Sequence, residues 1–388
     1  MTFRLADRFE ELPVHAFAEV DRLKRESIAQ GKDVIDLGVG DPDIPTPQPI
    51  IDACTQALQK PANHRYPYQA GSMRFRESVA AFMKRRYDVT VDTQRNIVPL
   101  IGSKEGIAHF PIAFVNPGEI VIAPDPGYPA YVTGTKLAGG VFHSIPLLAK
   151  NRFLMPLNEI PADVVKRARL MFFNYPNNPT TGWADQCDFE SIAQFCKTND
   201  IIAAHDAAYQ ELFFEEAPPS LMQTTCGLDG GIEFHSLSKT FNMTGWRVGF
   251  AVGEPSLIAG LSRLKANIDT GLFLALQEAA AFALDHCEEF TKPMIELYRR
   301  RKDTVVQGLN AAGFKSHHGK ATIYVWTEVP GGSDSMIFTK QLLDKTGVVV
   351  TPGSALGQSS GSYFRIALTQ SEERLSEAVR RMAAFAKT

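Results

Sequence analysis

The sequence predicts an α/β protein whose large domain has a mostly parallel sheet between helices and whose smaller domain is of the α+β type. The chain has 388 residues, which is enough for two hydrophobic cores. Between about residues 50 and 275, short apolar runs end in polar or glycine-rich clusters, and helical stretches follow them. This alternation is typical of a parallel sheet covered on both faces. After about residue 275 the pattern changes to a long helical stretch with a proline near its middle, then short strands and a final amphipathic helix.

These patterns divide the chain into three parts. Residues 1–48 form an N-terminal segment that we expect to pack with the small domain, because it precedes the first strand of the sheet. Residues 49–278 form the large domain, and residues 279–388 form the small C-terminal domain. Amphipathic spacing predicts one helix over Ala16–Gln30 and another over Ser371–Ala386.

The charge of the chain gives no reason to expect nucleic acid or a membrane as a partner. The formal net charge is -3 at pH 7, and the isoelectric point is about 6.3. That balance creates no long-range field for nucleic acid or an anionic membrane surface. The sequence also contains no apolar run of the length that crosses a bilayer.

The cysteines and the N-terminal residues favour a cytoplasmic protein. The five cysteines are scattered and form no Cys-x-x-Cys pair, which is typical of reduced thiols. Charged residues occur throughout the first 27 positions, so we expect no signal peptide there.

Polar groups with different chemistry follow five predicted strands. In sheets of this kind, ligands bind beyond the carboxyl ends of the strands, so we expect these groups to converge. They are Ser103 and Lys104 at a helix start, Tyr128, Asn178, Asp206 with Tyr209 three residues later, and Lys239 between two hydroxyl residues.

This set of groups suits pyridoxal phosphate. The helix start at Ser103 can bind a phosphate through backbone N–H groups, and Ser236, Ser238 and Arg247 can add to the same anion site. A lysine amine can form a Schiff base with the cofactor's aldehyde. A carboxylate can keep the pyridine nitrogen protonated, so that the ring accepts electrons.

Each of these residues also has an ordinary structural interpretation. An aspartate can cap a helix, tyrosines can fill a core, Asn-Pro favours a turn, and lysines and arginines usually lie on the surface. For Lys104, the backbone N–H can matter while the side chain is solvated. The functional interpretation depends on all of these residues occurring in one ordered set. The nine histidines show no metal-ligand spacing, so we expect no metal site.

Three motifs carry a resemblance to a known family. They are Asn-Asn-Pro-Thr at 177–180, Asp-Ala-Ala-Tyr at 206–209, and Ser-Leu-Ser-Lys at 236–239 with an arginine eight residues further on. In these motifs, and over nearly its whole length, the chain resembles the fold-type-I pyridoxal-phosphate-dependent aminotransferases of class I and II. The resemblance implies an aminotransferase that exchanges an amino group between an amino acid and a 2-oxo acid.

The resemblance also implies roles for individual residues. Lys239 would hold the cofactor and move the substrate proton, and Asp206 would pair with the pyridine nitrogen. Tyr209 and Asn178 would contact the ring oxygen, and Tyr128 would stack on the ring. The phosphate would be held by Ser103, Lys104, Ser236 and Arg247, with Tyr66 reaching it from the neighbouring subunit. A homodimer with shared active sites is therefore expected.

Within the family, several segments are most similar to the LL-diaminopimelate aminotransferases, among them "LIGSKEGIAH", "FNYPNNPT" and "NIDTG". The expected substrates are LL-2,6-diaminopimelate and 2-oxoglutarate, in lysine biosynthesis. Gln69 stands where some members of that group carry a glutamate, and Thr181 stands where a glycine is common. The residues expected at the substrate are Gly40, Lys104, Tyr128, Asn178, Arg365 as the α-carboxylate clamp, and Tyr66, Gln69 and Asn267.

Other functions fit parts of the sequence. A broad-range, aspartate, alanine or aromatic aminotransferase would use the same cofactor residues, and so would a β-lyase or synthase of this fold. Ser236-x-x-Lys239 and Lys345-Thr-Gly347 also occur in serine acyl-enzymes, with Ser333-Asp-Ser335 similar to a third element of those enzymes. That interpretation assigns no role to Asp206. A non-catalytic binding protein would have no use for a Schiff-base lysine.

Overall fold

The computed structural model describes residues 3–10, 12, 18–67 and 71–387. Its N-terminal segment contains helices α1 (Asp7–Glu10) and α2 (Ala18–Ala29) and strand β1 (Ile35–Asp36). The described part of the predicted helix over 16–30 is therefore helical from Ala18 to Ala29.

The large sheet and its helices follow in the order α3 (Gln48–Leu58), α4 (Met73–Tyr87), β2 (Ile97–Leu100), α5 (Ser103–Phe114), β3 (Ile120–Asp125), α6 (Pro129–Leu137), β4 (Val141–Pro146), α7 (Ala162–Arg167), β5 (Ala168–Phe173), α8 (Gln186–Thr198), β6 (Ile202–Asp206), β7 (Gly231–Ser236), α9 (Leu237–Thr240), β8 (Gly249–Gly253), α10 (Pro255–Ile268) and α11 (Leu274–Asp285). The strand order across the sheet is β2-β8-β7-β6-β5-β3-β4. Strand β8 is antiparallel to both of its neighbours, and the other paired strands are parallel.

The C-terminal part contains α12 (Cys287–Ala311), β9 (Ser316–His317), β10 (Tyr324–Glu328), α13 (Ser335–Thr346), β11 (Val348–Val349), β12 (Thr351–Pro352), β13 (Tyr363–Ala367) and α14 (Glu372–Phe385). Strands β12, β13, β10 and β9 form an antiparallel sheet in that order. Helix α14 begins after Ser371, whose side chain accepts the N–H of Arg374 and so caps the helix.

The N-terminal segment is held against the C-terminal part of the chain. Strand β1 pairs in parallel with β11. The Asp33 carboxylate accepts hydrogen bonds from Arg374 at 2.6 Å and from Arg381 at 2.5 Å. The division at residues 48 and 278 stays a prediction; residue 278 lies within α11, which packs against α3 and α4.

Both faces of the large sheet are buried along its central strands, which explains their continuous apolar runs. Phe172 and Phe173 are neighbours in β5, and both are fully buried in separate apolar clusters. Successive side chains of a strand point to opposite faces, so each residue packs under a different layer of helices. A third cluster, around Tyr298 and Ile366, forms the core of the C-terminal part.

Two local features differ from the sequence pattern. The long helical stretch is interrupted at His286, between α11 and α12, whereas Pro293 lies inside α12 without ending it. Strand β8 was not apparent from its short run "GFAVG". It needs glycine at its first position, because a Cβ on Gly249 would lie 2.6 Å from the carbonyl oxygen of His235.

The helices of the described residues differ from membrane-spanning helices. Across the described ranges, none of them combines the length and apolar character that crossing a bilayer requires.

Candidate active site

A cavity of about 1120 Å³ opens at the carboxyl ends of the central strands, where the two parts of the chain meet. Strand β13 and the loop after β1 contribute to its wall from the C-terminal side. The predicted residues that line it are Gly40, Ser103, Lys104, Tyr128, Asn178, Asp206, Tyr209, Ser236, Lys239, Arg247 and Arg365. The structure thus brings these side chains together, while their individual roles stay predictions.

Lys239 lies in the short helix α9, directly after β7. Its Nζ donates a hydrogen bond to the carbonyl oxygen of Gly40 at 2.5 Å. Burial lowers the pKa of Lys239, and the nearby guanidinium of Arg365 acts in the same direction. A lowered pKa increases the fraction of neutral amine, which is the form that can attack a carbonyl carbon.

Gly40 fits only because it has no side chain. A Cβ at this position would lie 2.0 Å from the hydroxyl of Tyr324. The backbone of the loop can therefore approach both Tyr324 and Lys239.

Asp206 ends strand β6 and is 5% exposed. Its Oδ2 accepts a hydrogen bond from the Tyr131 hydroxyl at 2.8 Å, and its Oδ1 accepts the N–H of Ala208 at 3.3 Å. Burial raises the pKa of Asp206, and the hydrogen bond from Tyr131 opposes that rise. A buried carboxylate at the cavity wall can be stabilised further by a cationic group of a ligand.

Tyr209 and Asn178 lie beside each other. The Tyr209 hydroxyl is 2.9 Å from the Tyr324 hydroxyl, and the Asn178 amide donates to Tyr209 over a long 3.5 Å. Burial raises the pKa of Tyr209 well above its usual value, so the phenol stays protonated and can donate. Together they present hydrogen-bond donors to the same region of the cavity.

Arg365 is 6% exposed and joins three parts of the chain. It donates from Nη1 to Asn178 Oδ1 at 2.8 Å and from Nη2 to the carbonyl oxygen of Gly38 at 2.8 Å. Its guanidinium lies 4.2 Å from the ring centre of Tyr324, which is the geometry of a cation–π contact. The Nε atom is buried and has no partner among the described residues.

The turn at 101–103, which leads into α5 and is called the anion-binding turn below, can bind an anion. Gly102 has φ +74° and precedes the helix without a capping side chain, so backbone N–H groups there are open to a ligand. Arg247 crosses close to this turn, since a Cβ on Gly102 would lie 2.4 Å from its Nη2. Ser238 accepts from Arg247 at 3.4 Å, and Ser236 is the N-cap of α9. This group of residues can surround a phosphate.

Lys104 and Tyr128 lie near each other in the lining of the cavity. The Lys104 ammonium is 5.9 Å from the ring centre of Tyr128. Burial raises the pKa of Tyr128, and the nearby charge of Asp206 adds to the rise. The side chain of Lys104 therefore faces the cavity in addition to its backbone.

Two predicted residues do not line the cavity, and a third lies outside the described residues. Tyr66 is 75% exposed, and Asn267 is an exposed residue of α10 whose amide donates to the carbonyl oxygen of Arg263 at 2.8 Å. Gln69 falls outside the described residues. Tyr66 was expected to reach the site of a neighbouring subunit, so its exposure is compatible with that prediction, whereas Asn267 was expected at the substrate and does not line this chain's cavity.

The elements of a serine acyl-enzyme do not meet. Ser236 and Lys239 line the cavity, but Lys345–Gly347 forms the end of α13, where the Lys345 ammonium lies 5.4 Å from the ring centre of Phe385. Residues 345–347 are not among those that line the cavity.

The structure also reveals cavity residues that the sequence did not single out. Tyr131 binds the Asp206 side chain, Asn174 donates to the Asp206 carbonyl oxygen at 2.7 Å, and Tyr324 contacts both Tyr209 and Arg365. Tyr131 lies three residues after Tyr128. A helix predicted after Tyr128 would have placed both tyrosines on one face, and this signal could have identified Tyr131. Tyr324 lies in an apolar strand, where its sequence gives no such signal.

Known proteins of one family are similar to this chain over nearly its whole length. The family model described as aminotransferase class I and II matches residues 32–382. The chain is 48% identical over 383 residues to an LL-diaminopimelate aminotransferase of Nitratidesulfovibrio vulgaris (strain Hildenborough), a match that covers 98% of this chain and 99% of that protein. An LL-diaminopimelate aminotransferase of Aquifex aeolicus (strain VF5) is 48% identical over 381 residues, with 98% of each chain covered.

Solved structures show the same fold. The substrate-bound structure of BacF from Bacillus subtilis has a TM-score of 0.94 at 34% identity and covers 100% of this chain and 98% of that chain. The predicted fold-type-I α/β class and the family resemblance are confirmed by these matches. The chain belongs to the class I and II aminotransferases.

Proposed function

We propose that this aminotransferase uses pyridoxal phosphate to exchange an amino group between LL-2,6-diaminopimelate and 2-oxoglutarate, in lysine biosynthesis. The observation that carries the reaction type is the position of Lys239, a partly buried amine in the cavity that the anion-binding turn and Arg365 also line. The proposed substrate is supported by relatives of that name that are 48% identical to the chain.

The cavity fits pyridoxal phosphate on its own evidence. The uncapped start of α5 with Arg247 suits a phosphate dianion, and the buried Asp206 suits a protonated ring nitrogen. Tyr209 and Asn178 would bind the ring oxygen, and Tyr128 would contact the ring face. When bound, the cofactor supplies an aldehyde and a ring that accepts the electron pair released at the substrate carbon.

The chain's own residues supply binding and proton transfer. Lys239 holds the cofactor and then carries the proton that leaves the substrate's α-carbon, a task suited to an amine whose pKa burial lowers. Burial raises the pKa of Asp206, and the Tyr131 hydroxyl opposes that rise by donating to the carboxylate, which favours its ionised form. Tyr209, kept protonated by burial, donates rather than accepts.

Arg365 is proposed to bind the substrate's α-carboxylate. Its guanidinium is held in place by Asn178, Gly38 and Tyr324, so little conformational freedom remains to be lost on binding. The far end of LL-2,6-diaminopimelate would meet Lys104 in this chain and Tyr66, Gln69 and Asn267 from a partner. Gln69 supplies no charge for the distal ammonium, which keeps a broad-range aminotransferase as a second candidate.

The active unit is proposed to be a homodimer with shared sites. Tyr66 is exposed and does not line this chain's cavity, so its hydroxyl is available to the site of a second copy. A two-fold arrangement would place it beside the partner's phosphate-binding turn while the partner's Tyr66 serves this site.

The substrate is tested by titrating the cofactor-loaded enzyme with single amino acids. We expect the visible absorbance to change to that of the pyridoxamine form at the lowest concentration with LL-2,6-diaminopimelate and with glutamate. Aspartate, alanine and phenylalanine, added separately, are the controls. If LL-2,6-diaminopimelate leaves the spectrum unchanged while alanine or phenylalanine converts it, the broad-range alternative replaces the specific one.

The Arg365→Lys variant tests the carboxylate clamp. A lysine cannot make the two parallel hydrogen bonds of a guanidinium, so kcat/KM should fall on the order of a hundredfold, about 2–3 kcal/mol. The matched variant Arg247→Lys should instead weaken binding of the cofactor. Equal losses for amino acids and for amines that lack a carboxylate would show that Arg365 does not bind that group.

Hybrid dimers test whether sites are shared. Lys239→Ala and Tyr66→Ala subunits should each have little activity alone, because each lacks a residue that both sites of its homodimer require. After mixing and subunit exchange, hybrids contain one site with an intact Lys239 and an intact Tyr66, so activity should return in part. Full wild-type activity in a demonstrably monomeric species would contradict the dimer proposal.

A further inference from the structure

A buried ammonium lies behind the anion-binding turn. Lys265, in α10, is 0% exposed, and its Nζ donates to Glu105 Oε2 at 2.9 Å and to the Asp269 carboxylate at 3.0 and 3.2 Å. Glu105, His109 and Asp269 are spaced closely enough for a metal ion, but the ammonium already binds both carboxylates. A charge buried this deeply is tolerated only with such partners, so the three charged groups depend on one another.

Glu105 connects this ammonium to the turn itself. Its Oε2 also accepts the N–H of Ile101 at 3.2 Å, and its Oε1 lies 2.9 Å from His109 Nδ1. Ile101 directly precedes Gly102, and the Arg247 guanidinium lies next to Gly102. The same carboxylate oxygen therefore binds Lys265 and the first N–H of the phosphate-binding turn.

Burial alone would raise the pKa of Glu105, but the contacts with His109 and Lys265 outweigh it and lower the pKa. Glu105 is thus an acceptor at neutral pH. Without Lys265, the partly buried carboxylate would lose an ammonium partner and keep the contact with His109, so its hold on the turn would weaken.

Asp269 connects the ammonium to a second loop. Asp269 follows the end of α10, and the N–H groups of Asp269 and Thr270 both donate to the carbonyl oxygen of Lys265, at 2.9 and 3.1 Å. Thr270 has φ +64°, and Gly271 has φ +125°. A non-glycine residue in this left-handed conformation is disfavoured on its own, so contacts such as these help to hold the loop.

We propose that Lys265 is a positioning residue for the cofactor phosphate. Its ammonium holds the Glu105 carboxylate in contact with the turn at 101–103, and it links that turn to the loop at 269–271 through Asp269. This inference rests on the proposed pyridoxal-phosphate site. Lys265 has no contact with the cavity, so its effect passes through Glu105 and the backbone of Ile101.

The test compares cofactor binding with and without the phosphate group. The Lys265→Met variant of the full-length protein, freed of cofactor, is titrated with pyridoxal phosphate and with pyridoxal, and the absorbance of bound ligand is followed. We expect the dissociation constant for pyridoxal phosphate to rise about tenfold. This is the size of effect expected when about one hydrogen bond from the turn to the phosphate is lost. The dissociation constant for pyridoxal should change little, because it has no phosphate.

Two further variants serve as controls. Lys24→Met removes an ammonium that also binds two carboxylates, those of Asp21 and Asp36, at 3.1 and 2.9 Å, but that does not line the cavity or contact the turn. It should leave both dissociation constants near those of the wild type. Glu105→Gln keeps the size of the side chain and should reproduce the selective loss, which covers the case in which Lys265→Met does not fold.

The outcomes separate this inference from the proposed function. If the wild type does not bind pyridoxal phosphate at all, the cofactor proposal fails. If the wild type prefers pyridoxal phosphate to pyridoxal but Lys265→Met and Glu105→Gln keep that preference, only the role of Lys265 is overturned. Equal weakening of both ligands in Lys265→Met would also overturn it, since it would indicate general destabilisation rather than loss of the phosphate turn.

Discussion

The hydrogen bonds of Arg365 hold the site together. Its guanidinium donates to the carbonyl oxygen of Gly38 from the N-terminal segment and to the side-chain oxygen of Asn178 from the segment after β5, and it belongs to strand β13 of the C-terminal sheet. Three segments distant in sequence therefore meet at one buried cation. A buried guanidinium needs such partners, and its buried Nε has none among the described residues.

The loop after β1 is fixed by the C-terminal part but faces the large sheet. Thr351 and Thr369 donate to the carbonyl oxygens of Gly38 and Val39, at 2.9 and 2.7 Å. Arg301 binds the two carboxylate oxygens of Asp43 at 2.7 and 2.8 Å. The carbonyl of Gly40, between these anchors, accepts the hydrogen bond of Lys239. The amine is thus positioned by one core while its acceptor is positioned by the other, so the relative placement of the two cores decides the geometry at Lys239.

The sequence predicted the groups that follow directly from strand ends, and for a physical reason. Parallel strands bring their carboxyl ends to one edge, so Asp206 and Lys239 were expected to converge before their distance was known. Contacts made across the chain had no comparable pattern. Tyr324 contacts Tyr209 from a strand of the C-terminal sheet 115 positions away, and Lys265 binds Glu105 from a helix 160 positions away. The role proposed for Tyr66 lies at the site of a second copy of the chain, so the pattern of strand ends within one chain gives no signal for it.

The attachment of the cofactor to one particular amine tests the central claim most directly. The enzyme is loaded with pyridoxal phosphate, reduced with borohydride and digested, and the modified lysine is identified by mass spectrometry. The label is expected on Lys239, whose pKa is lowered by burial, and not on Lys104, which lines the same cavity. A label on Lys104 or on any other lysine, with Lys239 unmodified, would contradict the assignment of Lys239 and the arrangement built around it.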